Sequence, residues 1–285
     1  MSNSNVPKRS YGVDLASYQS TSVSYTGAKF AIVKLTQGTD YLNPKASAQI
    51  KSAKANGLLV GGYFYANHGN SVSRARSEAK YAVAKAKALG IPIGSYIADD
   101  FEQGNGNNVN GSAFANTDAI LAAMQEIKSA GYQPLIYSGA YVLRNRMSIS
   151  RIVKSFGTCL WVASYKISGR QDYADFNYFP SMDGVAIWQF TDNYRGLNVD
   201  GNISLIDLKS DSHNHQAKST KKSVELLSQH PVVKWNVGVV AVVSNSKGAY
   251  VYTDSKLTKR ESDKLKKQGS LWQVFGIENG AICVG

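Results

Sequence analysis

Ser95-Tyr-Ile-Ala-Asp-Asp-Phe-Glu102 is an apolar run that ends in carboxylates, with Asp100 and Glu102 two residues apart. On an extended strand such residues share a face, while Asp99 and Phe101 point the other way. Two like charges are thereby set side by side. One carboxyl, its pKa raised by its neighbour, can protonate a leaving oxygen, while the other stays ionised and stabilises an oxocarbenium-like centre. The same spacing also occurs on solvated strand ends, so its meaning depends on the rest of the chain.

On both sides of this run, short β-rich segments alternate with helical ones. The strands expected are 11–16, 30–36, 58–65, the Asp100/Glu102 run, 134–138, 159–164, 185–190 and a short 203–207. Ala- and Lys-rich helices are expected over about 44–56, 73–89 and 116–130, the last two ending before Gly90 and Gly131. Continuous apolar strands alternating with helices imply a parallel sheet covered by helices, and a count near eight favours closure. The fold class expected is α/β, an irregular TIM-like (β/α) barrel. Its irregularity follows from the late strands, which have no obvious helices between them.

In such a barrel the C-terminal ends of the strands gather at one mouth. Asp14, Gln37, Tyr63, Tyr65, Asp100, Glu102, Tyr137, Trp161, Tyr165, Trp188, Gln189 and Asp207 all fall at or near strand ends. Carboxylates ringed by aromatic residues suit a sugar, because aromatic faces pack on pyranose rings and short polar groups read hydroxyls. Core packing is the alternative use for each aromatic taken alone.

Several blocks then resemble family 25 glycoside hydrolases, the lysozymes of the Chalaropsis type. They are Gly12-Val-Asp-Leu-Ala-Ser-Tyr-Gln19, Ile32-Val-Lys-Leu-Thr-Gln-Gly-Thr39, Gly61-Gly-Tyr-Phe-Tyr-Ala66, Asp100-Phe-Glu102, Pro134-Leu-Ile-Tyr137, Leu160-Trp-Val-Ala163, Trp188-Gln-Phe-Thr191 and Ile206-Asp-Leu208. They follow the family's order from about Ser10 to Lys209. The resemblance implies hydrolysis of the β-1,4 bond between N-acetylmuramic acid and N-acetylglucosamine in bacterial peptidoglycan, without metal or cofactor. Glu102 matches the general acid, Asp100 its partner carboxylate, and Asp14 and Asp207 the acids completing the cluster. Tyr63, Tyr65, Gln37, Tyr137, Trp161, Tyr165, Trp188 and Gln189 are the expected substrate-binding residues. Whether Asp100 attacks the anomeric carbon or orients the substrate's acetamido group stays open, since residues i and i+2 lie about 6.6 Å apart and rotamers reach either geometry. The chain departs from the family where Gln37 replaces an acid, Phe64 replaces a common His, and Asp99 adds an acid.

A metal-dependent barrel would need convergent His and Asp ligands. Of His68, His213, His215 and His230, only His68 follows a barrel strand, and His213-Asn-His215 sits in a polar, charged stretch that reads as a linker. A non-catalytic wall-binding protein on the same barrel is the alternative function. Retaining a costly cluster of like charges argues against it.

The 285 residues suffice for one large domain and a small one. Boundaries are expected at 1–209 for the barrel, 210–223 for the linker and 224–285 for a small all-β domain, whose short runs and turn signals loosely resemble SH3-like wall-binding modules. The net charge of +12 suits a polyanion. There is no Arg-rich block or DNA-binding motif, and an anionic wall polymer satisfies the same electrostatics, so the charge alone does not choose among them. It is the resemblance that makes anionic wall polymers, bound through the small domain, and not nucleic acid the expected partner. The N-terminal residues lack the apolar core of a secretion signal, and no run reaches the length of a membrane span. The expectation is a protein made in a host cytoplasm that acts on the wall after release. Two distant cysteines, Cys159 and Cys283, fit a reducing compartment.

Overall fold

The computed structural model describes residues 5–23, 25–104, 106–107, 109–210, 240–242, 271–278 and 281–284. Eight strands form a closed barrel: β1 (Tyr11–Leu15), β2 (Ala28–Gln37), β3 (Leu59–Tyr65), β4 (Tyr96–Asp100), β5 (Gln133–Gly139), β6 (Leu160–Ala163), β7 (Val185–Thr191) and β8 (Asp200–Ser204). From β1 to β7 each strand runs parallel to the next. β8 lies antiparallel to both β7 and β1 and closes the ring.

Among the described residues five α-helices coat the outside: α1 (Ala46–Ala55), α2 (Val72–Ala88), α3 (Ala113–Ser129), α4 (Ala140–Arg146) and α5 (Ile149–Phe156). The first three lie within a few residues of their expected places. Ser71 and Ser112 cap α2 and α3 by accepting the Arg74 and Ala115 amides, satisfying donors that a helix start leaves unpaired. α4 and α5 were not foreseen, being short, although Ile149, Ile152, Val153 and Phe156 keep helical spacing.

Among the described residues, no helix covers the outer faces of β7, β8 and β1. The long connection after β6 does so with aromatic rings: Phe176 and Phe179 meet Trp188 edge to face at 5.4 and 5.5 Å. Tyr11, Phe190 and Tyr194 pack together beside them. Inside the barrel, Gly12 faces Phe30 across the β1–β2 pair, and a methyl group there would lie 2.4 Å from the ring. The small residue makes space for the large one.

The late strand requires a correction. It spans Asp200–Ser204 rather than 203–207, and its direction reverses which end reaches the mouth. Asp200 therefore enters the mouth at the start of β8, opposite Asp14 in register. Asp207 lies beyond the other end, exposed, its carboxylate accepting the Lys8 amide at 2.8 Å beside the small Asn5–Val6 and Leu208–Lys209 ladder.

Contacts divide the chain into Met1–Gln216 and Ala217–Gly285. In the second unit β9 (Val240–Val242), β10 (Leu271–Glu278) and β11 (Ala281–Val284) form an antiparallel sheet in that order. The linker from 211 onward, the greater part of the expected all-β domain at 224–285, and His213, His215 and His230 lie outside the described residues.

Candidate active site

Alternation along the eight strands turns one residue in two into the barrel, and at the mouth those residues are chemical. Asp14 closes β1, and its Oδ2 accepts the side-chain amides of Gln189 at 2.8 Å and Asn202 at 2.7 Å. Each amide is in turn anchored by an aromatic donor. Tyr137 and Tyr165 donate their hydroxyls to Gln189 Oε1 at 2.9 and 2.5 Å, and Trp161 donates Nε1–H to Asn202 Oδ1 at 2.7 Å. Each amide thus has one orientation, since flipping either would set its oxygen against the Asp14 carboxylate, acceptor against acceptor.

Asp200 hydrogen-bonds Asp14 from the adjacent strand. Burial, then the charge of Asp14, pushes Asp200 up to about 9, so at neutral pH it is the protonated donor. Burial also raises Asp14, while the bonds from Asn202, Gln189 and Asp200 pull it back. The pair holds one proton, because two ionised carboxylates in contact would repel.

Across the mouth, Asp100 ends β4 and Glu102 follows it. Asp100 is 4% exposed, and its Oδ1 has no hydrogen-bond partner among the described residues. Burial first, then the charge of Glu102, holds Asp100 well above the usual carboxylate range. Glu102 is raised by burial as well. It remains partly exposed, so it is the member that an entering ligand can reach. Lys34, inward on β2, lowers both. Its Nζ donates to Gln37 Oε1 at 3.1 Å and stands 4.8 Å from the centre of the Tyr65 ring. Burial depresses the lysine itself, and the carboxylates oppose that. The protons of this group leave in steps that belong to the cluster rather than to one residue.

The expected residues therefore divide. Asp14, Asp100, Glu102, Gln37, Tyr63, Tyr65, Tyr137, Trp161, Tyr165 and Gln189 converge on the mouth, with Trp161 fully buried as part of its floor against Tyr63 and Tyr137. Asp207 and Trp188 do not. Trp188 neighbours inward-facing Gln189, so alternation sends it outside, where its Nε1–H meets the Ser164 carbonyl at 2.8 Å. Asp200, Asn202 and Lys34 were missed. Asp200 and Asn202 follow from an antiparallel β8, and Lys34 had a visible signal, a charge inside the apolar run of β2.

The family model of Glycosyl hydrolases family 25 matches residues 13–199, within the Ser10–Lys209 span that carries the resemblance. The lysozyme of Lactococcus phage mv1 is 41% identical over 179 residues, covering 62% of this chain and 89% of that protein. The lysozyme of Streptococcus phage Cp-1 is 32% identical over 222 residues, 76% of this chain, and the chain spans 60% of that relative's length. Among solved structures, the Cpl-1 endolysin complexed with a peptidoglycan analogue is similar, with a TM-score of 0.62 at 26% identity over 98% of this chain and 77% of that one. With most of its barrel matched and its carboxylates gathered at the barrel mouth, this chain belongs to glycosyl hydrolase family 25.

Proposed function

We propose that the chain is an N-acetylmuramidase, a lysozyme that hydrolyses the β-1,4 bond between N-acetylmuramic acid and N-acetylglucosamine in bacterial peptidoglycan. The observation that carries the reading is the Asp100 and Glu102 pair at the barrel mouth, with Lys34 beside it and Asp14 and Asp200 opposite. Glu102 protonates the glycosidic oxygen as the bond breaks, being both raised in pKa and reachable. Asp100, deeper and with one oxygen free, faces the positive charge that develops at the anomeric carbon, whether it attacks that carbon or steers the acetamido group. Once the leaving sugar has departed, ionised Glu102 takes a proton from the incoming water, which restores the starting state. Asp14 is held rigid by its two amides and supplies a fixed negative charge, and partly exposed Tyr65 and Tyr165 offer ring faces to the glycan.

Residues 224–285 serve as a wall-binding module of SH3-like type in this reading. The stretch from Lys218 onward carries eleven Lys and Arg against five Asp and Glu, an excess that suits anionic wall polymers.

The test compares the wild type with Glu102→Gln on purified Gram-positive peptidoglycan, following new reducing ends and identifying fragments by mass spectrometry. New N-acetylmuramic acid reducing ends are expected from the wild type, with a loss of about 10²–10⁴-fold in the variant and wall binding retained. Binding without new reducing ends from the wild type would instead establish a wall-binding protein.

A further inference from the structure

The added Asp99, one of the departures from the family pattern, belongs to a feature behind the active site. Asp99 and Phe101 point outward from β4, as alternation requires, and His68 lies against both. Its Nε2 is 3.3 and 3.2 Å from the two oxygens of Asp99, and its Nδ1 is 2.8 Å from the Gly69 carbonyl. Both side chains are fully buried.

A carbonyl can only accept, so Nδ1 carries a hydrogen, and Nε2 and the Asp99 carboxyl share the proton that lies between them. From there two routes reach Glu102. The ring stacks on Phe101 at 5.3 Å, immediately before Glu102. The Gly69 amide donates to Asn107 Oδ1 at 2.9 Å, and Asn107 Nδ2 donates to the Glu102 carbonyl at 2.9 Å. Glu102 lies past the last residue of β4, and the exit of that strand is pinned to β5 by the Phe101 amide on the Tyr137 carbonyl and by the Ser138 hydroxyl on the Phe101 carbonyl at 2.6 Å. Beyond these, the two routes from the His68 turn add the hold on the Glu102 backbone, the Asn107 bond acting on its own carbonyl.

We propose that His68 is a positioning residue for Glu102, a buried imidazole clamped to Asp99 that fixes the catalytic loop from behind. The inference rests on the reading of Glu102 as the general acid. The other ionisable group facing the ring is Glu78 of α2, whose Oε2 accepts the Asn67 amide at 2.8 Å and whose Oε1 lies 3.7 Å from Arg74. Burial works against the charged ring, but Asp99 by charge and hydrogen bond, and Glu78 by charge, outweigh it, and the His68 pKa lies above its ordinary value.

The experiment uses the full chain and its His68→Gln, Asn107→Ala and paired His68→Gln/Asp99→Asn variants, with kcat and KM measured on soluble peptidoglycan fragments from pH 4 to 9. The paired variant leaves no unpaired buried charge and keeps the test open if His68→Gln alone fails to fold. A fall in kcat of about 10–100-fold with KM within about twofold is expected for each folded variant, the cost of a displaced acid. The imidazole resonance lost in His68→Gln should also be more than half charged at pH 6.5, where a free imidazole is near half-titration. A folded paired variant with wild-type kcat, or a neutral His68 at pH 6.5, overturns the positioning role alone. A wild type that makes no new reducing ends overturns the function reading and this one with it.

Discussion

The ammonium of Lys34 governs how the acid pair shares its protons. It lowers Asp100 and Glu102 together, against a burial that raises both. Removing it in Lys34→Met should raise both, so the acidic limb of the pH–rate profile, which needs one carboxylate ionised, moves up by about one unit. On the acidic limb that is a loss of up to about tenfold, with the alkaline limb displaced the same way; profiles on soluble substrate would reveal it, and an unmoved acidic limb would refute it. At this scale much was readable. Asp100 and Glu102 declare themselves by spacing, and Asp14 by its place after an apolar strand. Asn202 does not, because an amide in a short β-run has no chemistry until a buried carboxylate is found beside it.

Secondary-structure elements were legible where they carry long apolar runs, as in β2, β3 and β7, and where glycines with positive φ end helices, as Gly90 and Gly131 do. β8 was misjudged by three residues because its apolar centre, Ile203, is followed by Leu205 and Ile206, which leave the barrel. That error exchanged Asp200 for Asp207. Trp188 was misjudged for another reason: the sequence gives no hint that the connection after β6 covers a wall with aromatic rings instead of a helix. Trp188→Phe should therefore act on the wall and not on sugar. The expected effect is a loss of about 1–3 kcal/mol from the vacated volume and the lost Ser164 bond, read as a melting temperature lower by about 2–4 °C per kcal/mol. KM should not change; a KM raised severalfold at unchanged stability would return Trp188 to the glycan site.

For the molecule as a whole, the Asp14 and Asp200 pair ties stability to pH. Asp200 is raised to about 9 in the folded state and returns to about 3.9 when unfolded. A group raised on folding contributes fully below its unfolded pKa and loses that contribution as pH rises through the folded one. Stability should thus decline from about pH 4 to 9 on account of Asp200. Asp200→Asn keeps a donor for Asp14 without a titrating proton. It should melt several degrees above the wild type at pH 8.5 and converge with it near pH 4, and an equal difference at both values would refute the linkage. The same strand sets the order of assembly. Gln189 and Asn202 reach Asp14 across 175 and 188 residues of chain, so their bonds form only when the ring shuts. Closing loops of that length costs entropy and slows folding. A chain that ends before β8 can carry every helix and seven strands and still lack the cluster around Asp14, and on refolding, activity returns with the last and slowest step, after helical structure has recovered.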